Sequence, residues 1–203
     1  MPKDREEKMS LIGEILKLGF GAFFGAWCAF RFERWTRRKD EKARHLNACR
    51  AAQFAFSCQS NLLRNVQEQY LDTNRTDENR WIELHPFLVE DNAPRIDWGE
   101  LSFILEGSKA NILKKMTIAQ ANYITCLRII ETRNKAHVAF QKDYASRKFY
   151  DSHLQKVLTD LTDKLYVLID DTINSLIEQI VILDEFITEY FPGKSTYLEN
   201  LNE

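Results

Sequence analysis

Apolar positions in this chain form one continuous block followed by three long stripes at helical spacing. The block, Leu18 to Phe30, carries no charge, and read from Ser10 it runs SLIGEILKLGFGAFFGAWCAF. A helix needs about 20 residues to cross a bilayer. The uncharged block alone is too short, so a crossing must include Glu14 and Lys17. These two stand three apart, where helical side chains pair, and lie near one end, within reach of the interface. The pattern predicts a polar tail over 1–9 and a transmembrane helix over 10–32.

The first stripe, Leu46, Cys49, Ala52, Phe56, Leu62, Leu63, Val66 and Tyr70, predicts a helix over about 38–71. The second predicts a helix over 109–146, capped by Ser108. Ile112, Leu113, Met116, Ala119, Gln120, Tyr123, Leu127, Ile130, Asn134 and Val138 mark its inner face. The third predicts a helix over 152–191, opened by Asp151-Ser152 and stopped by Pro192-Gly193. Its seam runs Leu154, Leu158, Leu161, Leu165, Ile169, Ile173, Leu176, Ile180, Leu183, Ile187, Tyr190. This is a heptad pattern with a four-residue stutter near Leu165–Ile173.

Residues 72–97 contain Asp72-Thr73-Asn74, Pro86 and Pro94 and read as loop with short helical turns at most. Asp97 with Glu100 opens a short helix over 98–105, which Gly107 ends. The fold class expected is all-α: one N-terminal transmembrane helix, then a cytosolic bundle of three long helices plus a short one, filling residues 33–203.

Composition agrees with long helices. The 203 residues include only 7 Gly and 4 Pro. Cys28, Cys49, Cys58 and Cys126 show no paired spacing and read as reduced thiols. Arg31, Arg34, Arg37, Arg38, Lys39, Lys42 and Arg44 follow the apolar block, while Lys3, Arg5 and Lys8 precede it mixed with acids. This bias places the C-terminal domain in the cytoplasm, with the chain in the inner membrane as a single-pass protein. Charges within the front half of the block and a poor cleavage pattern argue against a removed signal peptide.

Gly21, Gly25 and Ala29 form a small-residue ridge, a pattern that lets helices approach closely in lipid. Ridge and seam together predict a homo-oligomer. The alternative for the seam is that helices of the same chain cover it.

Candidate chemistry is sparse. The 109–148 region is strongly basic and the last helix strongly acidic. The two can pair with each other, or the basic helix can bind an anion. Within it Arg128, Arg133, Lys135 and His137 form the candidate ligand cluster, with Tyr123 and Tyr144 near for stacking. His45 and Cys49 share a face but lack further zinc ligands. Asp160, Asp163, Asp170, Asp171 and Glu178 read as a solvated face. No Gly-rich phosphate loop or nucleophile elbow occurs. No catalytic residue, cofactor or metal is expected, and the chain does not read as an enzyme.

Two resemblances extend this reading. Arg147 to His153 and Arg80 to His85 fit the loose arginine–histidine spacing of helical HEPN ribonucleases, which implies a membrane-tethered nuclease as one alternative. Arg133 to His137 is too closely spaced to fit. The layout, with the Gly21/Gly25/Ala29 ridge, resembles small single-pass membrane effectors of bacterial antiviral defence, including those of type III CRISPR systems. That resemblance implies an oligomeric effector or signalling subunit whose cytosolic domain senses a cyclic nucleotide or a protein and acts through the lipid bilayer. A non-catalytic anchor recruiting a partner protein is the other alternative. Nucleic acid is not an expected partner.

Overall fold

The computed structural model describes residues 3–106, 109–147 and 151–194, with the side chains of 3–18, 106 and 147 left aside. It is helical throughout, with no strand among the described residues. The elements are α1 (Lys3–Val66), α2 (Arg80–Glu83), α3 (Ala110–Arg147) and α4 (Ser152–Tyr190). A π turn, Gln67–Leu71, and 3₁₀ turns at Asp72–Asn74 and Ser102–Glu106 complete them. The all-α expectation holds, and α3 and α4 fall close to the helices expected over 109–146 and 152–191. The helix expected over 38–71 is instead the end of α1, which runs unbroken from Lys3 and stops at Val66. The short helix expected over 98–105 is instead a turn followed by the 3₁₀ segment. The expected cap Ser108 lies outside the described residues.

The chain divides into two units, residues 1–44 and 45–203. In the first, the described part is bare helix. At about 100° per residue, Phe20, Phe23, Phe24, Trp27 and Phe30 fall on one side, and Gly21, Ala22, Gly25 and Ala29 on the other. The aromatic side chains range from 49% exposed at Trp27 to 73% at Phe20. A Cβ added at Gly21 or Gly25 would meet nothing within 4 Å. Among the described residues no helix is long and apolar enough to cross a membrane. The element expected over 10–32 is therefore present as helix but not as an apolar span, and side chains 10–18 lie outside the description.

The second unit packs residues 45–66 of α1 with α3 and α4 around one core. The α4 seam supplies Leu158, Leu165, Ile169, Leu176, Leu183 and Ile187, all fully buried. Phe56 and Leu63 meet it from α1, and Met116, Tyr123 and Cys126 from α3. The seam is thus covered within the chain, which removes it as an argument for a subunit interface. Asp151 starts α4 by accepting from the main-chain N–H of His153 and Leu154, satisfying two of the groups a helix start leaves unpaired. Gly193, at φ 78°, supplies the left-handed turn that ends this stretch.

Residues 84–97 cross the bundle as an extended strap. Pro86 and Pro94 hold their preceding residues out of the helical region and remove two main-chain donors. Leu84, Phe87 and Ile96 anchor the strap in the core. Gln59 Nε2 donates to Pro94 O at 3.0 Å and also to Gln120 at 3.0 Å, so an amide pair joins α1, α3 and the strap.

Candidate functional site

The inner face of α3 runs Met116, Ala119, Tyr123, Cys126, Ile130, Arg133, His137, Phe140, alternating steps of three and four, and every member is buried. The apolar reading had continued this face through Asn134 and Val138. Val138 is in fact 38% exposed, and the seam passes through two polar residues instead.

Arg133 is 0% exposed. Its Nε donates to Thr162 Oγ1 at 3.3 Å, and its Nη2 donates to Trp81 O at 3.0 Å and to Leu84 O. The two carbonyls belong to the last turn of α2 and the residue closing it. They carry the partial negative charge of a helix C-terminus. A four-residue helix is far below the length that persists unaided. The guanidinium therefore caps α2 from the core side. Burial without a carboxylate pulls the Arg133 pKa down to about 10. Nη1 is buried without a partner among the described residues.

His137 Nδ1 lies 3.3 Å from Arg133 Nη2. Arginine offers only donors, so a neutral imidazole accepts there and carries its proton on Nε2. Gln141 Nε2 lies 3.0 Å from that nitrogen; with the carboxamide turned over, its oxygen accepts the N–H instead. Desolvation first, then the charges of Arg133 and His85, lower the His137 pKa to about 4.

On the outer side, α2 and the 72–80 segment are tied to α4. Arg75 makes a two-pronged contact with Asp170 at 2.8 and 3.0 Å. Arg80 reaches Asp163 at 2.7 Å and donates to Arg75 O at 2.8 Å. Both guanidinium groups lie over the Tyr166 ring, at 5.5 and 5.0 Å. The Tyr166 hydroxyl donates to Leu71 O at 2.9 Å. The Asp170 contact raises the Arg75 pKa. The acidic face of α4 is therefore a docking row as much as a solvated one. Lys109–Glu189 and Lys115–Glu178 add pairs between α3 and α4.

Arg128 opens onto a cleft of about 370 Å³ between α3 and the strap. Its floor is Phe87, Val89, Ile124 and Leu127. Asn134 Nδ2 donates to Phe87 O at 2.6 Å, while its Oδ1 is buried with no partner among the described residues. At one end the Tyr123 hydroxyl donates to Asp91 at 2.6 Å, and Asp91 also pairs with Arg95. Burial and Asp91 raise the Tyr123 pKa. The cleft thus combines apolar walls with two arginines, Arg95 and Arg128, and two acids, Asp91 and Glu131.

The candidate cluster thus separates. Arg133 and His137 lie together in the core, Arg128 borders the cleft, and Lys135 is exposed and paired with Glu131. Tyr144 is exposed, and Tyr123 is buried against the strap. Arg80 and His85 do not share a helix, because α2 ends at Glu83. Arg147 ends α3 while His153 lies in α4, so that spacing also straddles two helices. His45 stacks on Phe103 at 3.9 Å, and burial pushes the Cys49 thiol up to about 12. Among the described residues, no three His, Cys, Asp or Glu converge on a metal position. Arg75 and Tyr166 were not anticipated, and Arg80 was singled out only for its spacing to His85. No protein-family model, curated protein or solved structure matches this chain, so its own geometry carries the functional reading.

Proposed function

We propose that the chain is a membrane-attached effector or signalling subunit. Residues 10–32 associate with lipid and with the same segment of other copies, and the helical unit beginning at His45 receives a ligand or protein partner. One observation carries this reading: five large aromatic side chains between Phe20 and Phe30 stand uncovered. A contiguous bare apolar surface of this kind marks a membrane or partner contact. The cations that follow favour an anionic membrane surface. Three of them fold back over aromatic rings four residues earlier: Arg31 over Trp27, Arg34 over Phe30 and Lys39 over Trp35. Such pairing keeps a long basic side chain at the apolar boundary.

A received ligand acts only if it binds two states of the protein differently. The segment 72–83, with α2, is held to the bundle by a few polar contacts, and the strap that follows lines both surface grooves, which makes them the receiving elements in this reading. The test is fractionation of the full chain after lysis, with high-salt and alkaline washes. Retention on membranes through both washes is expected, and a chain found in the first supernatant overturns the proposal. Gly21→Leu/Gly25→Leu then separates effector from anchor. A Cβ at either position meets nothing within 4 Å, so expression toxicity lost in this variant reports contacts between copies. An anchor shows no toxicity in either form.

A further inference from the structure

A second groove, of about 490 Å³, lies between α1 and the other edge of the strap. Its α1 wall carries Asn61, Asn65 and Gln69, with Asn92 across from them. Amides that face inward nearby donate to the bundle: Gln53 Nε2 to Ile180 O and Asp184, Gln59 Nε2 to Pro94 O, and Gln67 Nε2, in the π turn, to Asp170. The side-chain oxygens of Gln53 and Gln59 are buried with no partner among the described residues. The four amides in the groove are exposed and make no side-chain hydrogen bond to any described residue. The strap wall also offers main-chain donors to solvent. The main-chain N–H groups of Leu88, Val89 and Ala93 have no partner among the described residues, and the Leu88 side chain is 91% exposed.

The spacing of the amides matches an extended chain. Four residues on an α-helix advance about 6 Å, and like-facing groups of an extended chain recur every ~6.6 Å. In an unbroken α-helix each step of four also rotates about 40°. The wider π turn at Gln67–Leu71 counters that drift, so Gln69 lines the same groove as Asn61. Each carboxamide both donates and accepts, as each peptide unit does.

We infer that this groove binds an extended peptide segment of a partner protein, about four residues long, chiefly through its main chain. Leu62, Val66 and Val89 give it apolar contact, and Glu90, the only charged residue lining it, disfavours acidic segments. Strand-like capture of this sort draws affinity from the backbone and selectivity from alternate side chains. The inference rests on the reading of the bundle as the receiving end, and stands apart from membrane attachment.

Cys58 also lines the groove and is half-buried, which provides a direct test. The full chain in detergent, carrying Cys28→Ser, is offered neutral pentapeptides whose one terminal thiol is capped as a mixed disulfide with 2-mercaptoethanol. Free 2-mercaptoethanol is held fixed, and attack by the Cys58 thiolate on the peptide sulfur releases mercaptoethanol. Disulfide capture is read by intact-protein mass spectrometry. Peptides of different neutral sequence should be captured similarly. Methylating alternate backbone nitrogens should lower capture about tenfold, the loss of one to two hydrogen bonds. Asn65→Ala should lower capture comparably while leaving the melting temperature and membrane retention unchanged. Equal capture of methylated and parent peptides overturns the inference. Protection of Cys58 by a mixed-sequence single-stranded oligonucleotide, but not by thiol-free parent peptide, also overturns it.

Discussion

Residues 19–30 and 45–66 belong to one helix, and both carry large apolar side chains. In the second stretch Cys49, Phe56 and Leu63 are fully buried, and even Gln53 and Gln59 are enclosed and bonded. In the first nothing is covered, from Phe20 to Phe30. Helical propensity does not separate the two stretches. The difference lies in arrangement. Apolar residues at steps of three and four give a single stripe that other helices of the chain can cover. Aromatics on one side and small residues on the other leave two faces, and neither has a counterpart in the described residues.

The sharpest test of that contrast pairs two phenylalanines. Phe56→Ala should cost about 3–5 kcal/mol, the range for emptying a fully buried aromatic site, read from denaturant unfolding of the full chain in detergent. Phe24→Ala should shift the same unfolding midpoint by no more than about 0.5 kcal/mol. Equal effects would break the comparison. Next comes Arg133→Ala, expected to cost about 3 kcal/mol, because it leaves the α2 carbonyls buried without a donor. Arg133→Met keeps the packing of the side-chain stem and should cost less.

His137 gives a smaller, pH-dependent effect. Its folded pKa, about 4, lies below the ordinary 6.5. The unfolded chain therefore binds this proton first, and stability falls as pH drops from about 6.5 towards 4. The loss should be on the order of 1 kcal/mol, a few degrees of melting temperature, and His137→Gln should flatten it. Asp151→Ala, which removes the α4 cap, should cost about 1 kcal/mol. Neither change should alter membrane retention.

The long helices were legible because their stripes are regular and lack interior Gly or Pro. Most of the α4 seam is the buried face as read, from Leu158 to Ile187, but Leu154 and Leu161 are only partly buried and Tyr190 is exposed. Arg133 and His137 were read as surface chemistry because their residue types are polar. Yet their positions continue the alternation from Met116 to Ile130, and position was the better guide. The stutter has its own effect: steps of four through Leu161, Leu165, Ile169 and Ile173 let Thr162 and Tyr166 also turn inward, where they meet Arg133 and Leu71 O. The contacts of α2 and the segment before it could not be read from local pattern. Arg75 with Asp170 and Arg80 with Asp163 join residues far apart along the chain, and only the folded bundle brings them together.

The distance between Gln53 and Ile180, 127 positions apart in the chain yet hydrogen-bonded, also sets an order of events during synthesis. The aromatic segment leaves the ribosome before α4 does. Until α4 emerges, the stripe on α1 lacks a covering partner, so the bundle closes only after α4 is released. On the proposed function, membrane attachment of the first segment and closure of the bundle are then separable steps, and a chain truncated before α4 would keep the first without reaching the second.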